Sequence, residues 1–95
     1  MLIALSYLIS FAPSPDQQRR SERQSVALEI AKEYGGSSYK EGDNLATDRV
    51  AYQFWAGPEH DHVGAFELPS QVEAMELQDE LAKRYGQAAG QRIHL

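Results

Sequence analysis

Ninety-five residues make one domain, and 42% apolar with 24% charged residues are globular proportions that exclude a disordered chain. A formal net charge of −5 argues against broad binding to nucleic acid or to an anionic membrane, since both need a basic surface. With no cysteine, a disulfide framework and a thiol nucleophile are excluded, and a cytoplasmic location is expected.

The chain opens on "MLIALSYLIS", which lacks the basic start of a secretion signal and is too short to span a bilayer as a helix. It predicts a first strand, with Ile3, Leu5, Tyr7, Ile9 and Phe11 on one face and Leu2, Ala4, Ser6, Leu8 and Ser10 on the other. A helix follows. Ser14 is its N-cap, with Pro15 at the first helical position and Gln17 placed for a capping box. Ser21 with Gln24 repeats that spacing, so a later start stays open. Only the second half has an apolar face, through Val26, Ala27, Ile30, Ala31 and Tyr34. Arg19, Arg20 and Arg23 in the first half read as a solvated overhang with local ion pairs.

Gly35 ends this helix, and "SSYKEG" is then either a further strand or the start of a long loop, giving four or five strands. "RVAYQFWA" predicts a strand with Val50, Tyr52 and Phe54 on one face and Ala51, Gln53 and Trp55 on the other. "GPEHD" is a hairpin loop. "HVGAFEL" sets Gly64, Phe66 and Leu68 opposite Val63, Ala65 and Glu67. A second helix starts at Ser70, with Glu73 placed for a second capping box, and stops at Gly86. Val72, Met75, Leu77, Gln78, Leu81, Ala82 and Tyr85 form its apolar side, and "QRIHL" is a short last strand.

The two helices echo each other. "FAPS" and "FELPS" lead in, "AKEYGG" and "AKRYGQ" lead out. The order strand–helix–strand–strand–helix–strand resembles the ferredoxin-like split βαβ fold, which implies one α+β domain over residues 1–95 with two helices on one face of an antiparallel sheet.

That arrangement leaves the other sheet face carrying Leu2, Ala4, Leu8, Ala51, Trp55, Val63 and Ala65, interrupted by Ser6, Gln53 and Glu67. A monomer normally shows water a more polar face. An interface or ligand surface is therefore expected there, with a homodimer as the first partner and a protein or small apolar ligand as further ones. "EHDH" offers His60 and His62 as weak candidate metal ligands, with Asp61 to assist. Three or four converging ligands are needed, so no metal is expected. No GxSxG, P-loop, GxGxxG or HExxH occurs, and no cofactor is implied. The first strand also lacks the acidic residue that small nucleases of ferredoxin-like shape would place at its end.

The first functional expectation is a non-enzymatic interaction protein, of a size that suits accessory cargo of a phage or mobile element. The second is an enzyme. "SSYKEGDNLATDRVAYQFW" resembles the central hairpin of small cofactor-independent monooxygenases of the dimeric α+β barrel type, which implies a pocket lined by Trp55 with His60 or His62. "VGAFELPSQ" departs from that pattern by reading as a strand that leads into a helix.

Overall fold

The computed structural model describes residues 13–94, so the predicted first strand, with Leu2, Ala4, Ser6 and Leu8, lies outside the described residues. The described elements are α1 (Pro15–Glu33), β1 (Ser37–Ser38), β2 (Val50–Ala56), β3 (Asp61–Leu68), α2 (Gln71–Tyr85) and β4 (Ala88–Arg92). The architecture is α+β: two helices and a four-stranded sheet of order β1-β3-β2-β4, with every neighbouring pair antiparallel.

Local chemistry sets the helix ends. The Ser14 hydroxyl accepts the Gln17 N–H at 3.2 Å, and the Gln17 side-chain oxygen accepts the Ser14 N–H at 3.1 Å. That reciprocal pair starts α1 at Pro15 and rules out the later start at Ser21. At the far end the Gly36 N–H bonds Ala31 O and the Gly35 N–H bonds Lys32 O. This pattern needs a left-handed residue at the turn, which Gly35 supplies with φ 79°. The second helix differs from expectation. The Ser70 hydroxyl accepts from the Val72 N–H rather than from the Glu73 N–H, and it donates to the Glu73 carboxylate.

The sheet corrects the split βαβ order. β4 bonds directly to β2, pairing Tyr52 with Arg92 through to Ala56 with Ala88. One split unit is present, since β3 and β4 are both antiparallel to β2, run parallel to each other, and are joined by α2. The place between them is filled by β2, which the hairpin delivers. Two matched halves are therefore not what the described strands display.

One core lies between the helices and the sheet. Ala27, Ile30 and Ala31 of α1 and Ala74, Leu77 and Leu81 of α2 pack on Tyr52, Phe54, Phe66 and Leu68. The Phe54 ring sits 6.1 Å from both Tyr52 and Phe66. The apolar side expected for α2 is narrower than its sequence suggests. Val72 and Met75 are exposed at 62% and 46%. The stripe that meets the sheet runs through Ala74, Leu77 and Leu81, at the i, i+3, i+7 spacing of one helix face, and Val72 and Met75 fall beside it.

The largest departure from simple alternation is a bulge. Phe54 pairs with Gly64, but Trp55 pairs with His62, so Val63 has no partner across the ladder. From there to the turn, β3 has shifted by one residue. Val63 is 1% exposed in the core on the helix side, not on the open face where alternation places it. Asp61 is turned to the helices as well. Gly64 permits this with φ 139°, and a Cβ there would come within 2.8 Å of the Phe66 ring.

Candidate functional site

The sheet face away from the helices carries Gln53, Trp55, His62, Ala65 and Glu67, as register and burial require. β2 and β3 are adjacent and antiparallel, so the pair Trp55–His62 and the pair Gln53–Ala65 sit side by side. The indole is half-buried. The His60 imidazole stacks on it with 5.5 Å between centroids and 5° between planes. The His62 ring meets it edge-on at 5.3 Å. His60 reaches this position from the turn, where its φ is 55°, a conformation uncommon for any residue but glycine. His62 Nε2 lies 3.3 Å from Gln53 Oε1, and Gln53 Nε2 donates to Gln91 Oε1 of β4 at 3.0 Å. Three strands are thus tied across the open face by one chain of side chains.

The remaining predicted face residues separate into two groups. Ala51 is on this face yet only 1% exposed, at the floor of a hollow walled by Leu45, Arg92, Ile93 and His94. It is not a free interface residue. Glu67 accepts from the Ser37 hydroxyl at 3.0 Å and lies 3.6 Å from Arg49 Nε, so its charge is engaged within the chain. A second hollow of about 380 Å³ opens beside Gln53 and Ala65 and is bounded by Tyr39, Glu41, Ile93 and His94. Its described lining includes neither Trp55 nor His60 nor His62. Asp61 of "EHDH" is likewise on the wrong side. Asp61 faces α1 while His62 faces away from it, so the two do not converge on one ion.

What sequence reading missed is the part Asp61 plays. It is 5% exposed and is the anchor of an ion-pair knot. Arg19 Nε donates to its Oδ2 at 2.8 Å, and Arg19 Nη2 donates to Oδ1 at 3.1 Å, a two-pronged contact. Arg23 Nη1 donates to Asp61 Oδ2 at 2.9 Å and also to Glu59 Oε1 at 2.6 Å. Behind it the Arg23 guanidinium lies 4.8 Å from the centre of the Tyr85 ring, which links the knot to α2. Hydrogen bonding from Arg19, then the charges of both arginines, hold the Asp61 carboxyl below its ordinary range against the opposing effect of burial. Hydrogen bonding from Arg23 does the same for Glu59. The expectation of a solvated arginine overhang holds for Arg20, which is exposed, and fails for Arg19 and Arg23. The readable signal was two arginines one helical turn apart, able to share one carboxylate. Its partner was hidden by the bulge.

No protein-family description, curated protein or solved structure matches this chain. Among the described residues, no helix is long and apolar enough to cross a membrane.

Proposed function

We propose that this is a small non-enzymatic interaction protein whose open sheet face is covered by a second copy of the chain. The observation that carries the reading is Trp55. It stands on the face turned away from both helices, half-exposed, with its ring orientation fixed by His60 and His62. A rigid, partly desolvated indole costs little further entropy when a partner covers it, and aromatic residues of this kind are enriched at interface centres. Ala65 and Gln53 beside it keep the surface low enough for two sheets to approach. The face is smaller than alternation suggests, because Ala51 is already covered and Val63 belongs to the core. The interface is accordingly centred on the hairpin end, around Trp55, Ala65 and the two histidines. Cargo of a phage or mobile element remains a reading from size alone.

Light scattering over a concentration series, with circular dichroism, tests the assembly. The wild-type chain is expected to be a dimer, and Trp55→Glu is expected to shift it towards monomer with its helical signal kept, because Trp55 takes no part in the core beneath the helices. A monomeric wild type, or a Trp55→Glu chain that remains dimeric, overturns the proposal.

A further inference from the structure

We propose that residues 15–25, the first half of α1, form a latched arm, which unwinds and recloses as one unit while the second half of the helix stays packed. The stretch "PDQQRRSERQS" holds no apolar side chain but Pro15, which is exposed. Arg19 and Arg23 are partly covered, and every other residue of the stretch is exposed. The buried residues of α1, Ala27, Ile30 and Ala31, all lie beyond it. The helix is therefore continuous in its backbone and divided in what holds it. Burial fastens the second half, and polar contacts fasten the first.

Helix propensity does not fasten the arm by itself. Isolated helices shorter than about 12–15 residues are marginal in water, and most helical stability comes from packing an apolar face. The arm has no such face. Its capping box at Ser14 and the Asp16–Arg19 pair at 2.8 Å steady it from within, but neither ties it to the body. Among the described residues, what ties it is polar and local. Arg19 and Arg23 reach Asp61 and Glu59, and Gln24 donates to His62 O at 3.4 Å. The Arg23 guanidinium also lies against Gly57, where an added Cβ would collide with it, and over the Tyr85 ring. Apart from Tyr85, all these partners fall within residues 57–62.

The hydrogen bonding makes the opening a single event. Arg19 Nε and Arg23 Nη1 donate to the same oxygen, Asp61 Oδ2, at 2.8 and 2.9 Å. Their spacing of one helical turn brings both cations to it. Two guanidinium groups gather at one point because a carboxylate stands between them, so the loss of that contact frees both together. The arm then opens as far as the core begins, rather than fraying residue by residue from Ser14. Segments with few buried apolar contacts open at a lower free energy than the whole molecule. Opening uncovers Asp61, Glu59 and the ring of Tyr85, and it leaves the core closed, since no core residue belongs to the arm.

Hydrogen exchange of single backbone amides, followed by NMR in a series of low urea concentrations, tests this. In the wild-type chain, amides of residues 19–24 are expected to have protection factors about tenfold or more below those of Ile30 and Ala31. Their exchange is expected to depend little on urea, because opening the arm exposes little surface, whereas that of Ile30 and Ala31 steepens with it. In Asp61→Ala the arm amides are expected to lose roughly thirtyfold in protection and to approach the unprotected rate. Ile30, Ala31 and Phe54 are expected to stay measurably protected in that variant. Arm amides that match Ile30 and Ala31 in protection and in urea dependence would make α1 one cooperative unit and overturn the proposal. So would an Asp61→Ala chain whose arm stays as protected as in the wild type. If Asp61→Ala does not fold, the wild-type urea series decides alone.

Discussion

Removing Asp61 is expected to destabilise the protein more than any exposed charge would. An exposed ion pair is worth under about 1 kcal/mol. Taking one partner from a buried pair costs roughly 3–5 kcal/mol, since the other charge is left without compensation. Asp61 lies between these limits. Its own side chain is 5% exposed, but the Arg23 and Arg19 side chains are 14% and 28% exposed and so retain some water. Each arginine also keeps a second acidic neighbour, Glu59 for Arg23 and Asp16 for Arg19. We therefore expect Asp61→Ala to cost about 2 kcal/mol, with a melting temperature roughly 8–16 °C lower in a domain of this size. Arg20→Ser, on the same helix but exposed, is expected to change stability by less than about 0.5 kcal/mol.

A double-mutant cycle isolates the contact. Arg23→Ala and Asp61→Ala are expected to couple by about 1 kcal/mol in urea unfolding, as residues in one ion-pair network do. If Asp61→Ala melts within about 2 °C of the wild type, or the two substitutions add without coupling, the knot is not holding α1 to the hairpin and the reasoning fails.

Two further outcomes follow from the same geometry. Asp61 and Glu59 both have carboxyl pKa values lowered in the folded state, so their contribution is fully present above the unfolded carboxylate range near pH 4 and is lost as pH falls through the folded values. Unfolding free energy measured from pH 6 down to pH 2 should fall below about pH 4, and Asp61→Ala should flatten that slope; an equally steep acid loss in the variant would place the effect elsewhere. Gly64→Ala is expected to cost about 1–3 kcal/mol in chemical denaturation, because φ 139° is strained for any side chain and the new methyl meets the Phe66 ring. Wild-type stability in Gly64→Ala would show that the bulge relaxes at no cost.

The parts of the fold legible in the sequence were those written in short-range chemistry. Ser14, Pro15 and Gln17 offer one of two starts for α1, with Ser21 and Gln24 the other, while Gly35 and Gly86 state where the helices stop and "GPEHD" states the hairpin, because each signal acts within four residues of itself. The Val50–Ala56 strand kept a strict alternation and was placed on the correct faces, Trp55 included. Its neighbour was not. Alternation in Asp61–Leu68 holds from Leu68 to Gly64 and then breaks, and the only local warning is a glycine inside a strand. Strand order was equally beyond reach, since the bonding of β4 to β2 depends on which strand arrives beside it and not on what β4 contains. Residues 37–47 were read as either strand or loop, and they prove to be both: Ser37–Ser38 pair with Glu67 and Phe66 of β3, a long-range contact, and no further strand follows before Val50.

The bulge then decides how "EHDH" divides its chemistry. Without it, Asp61 would share a face with Trp55, and His62 would enter the core beside Phe66. A carboxylate beside the indole would be charged and hydrated on the face proposed for assembly, while an imidazole would need a partner among apolar groups. With the shift, the carboxylate faces the two arginines of α1 and the imidazole faces the indole. One residue without a ladder partner, Val63, thus separates the two roles of the hairpin. Its helix side fastens α1, and its outer side presents Trp55 between two histidines. Asp61→Ala should therefore loosen the helix without disturbing the face proposed for assembly, and Trp55→Glu should alter that face while leaving the helix fastened, so that the two faces fail independently.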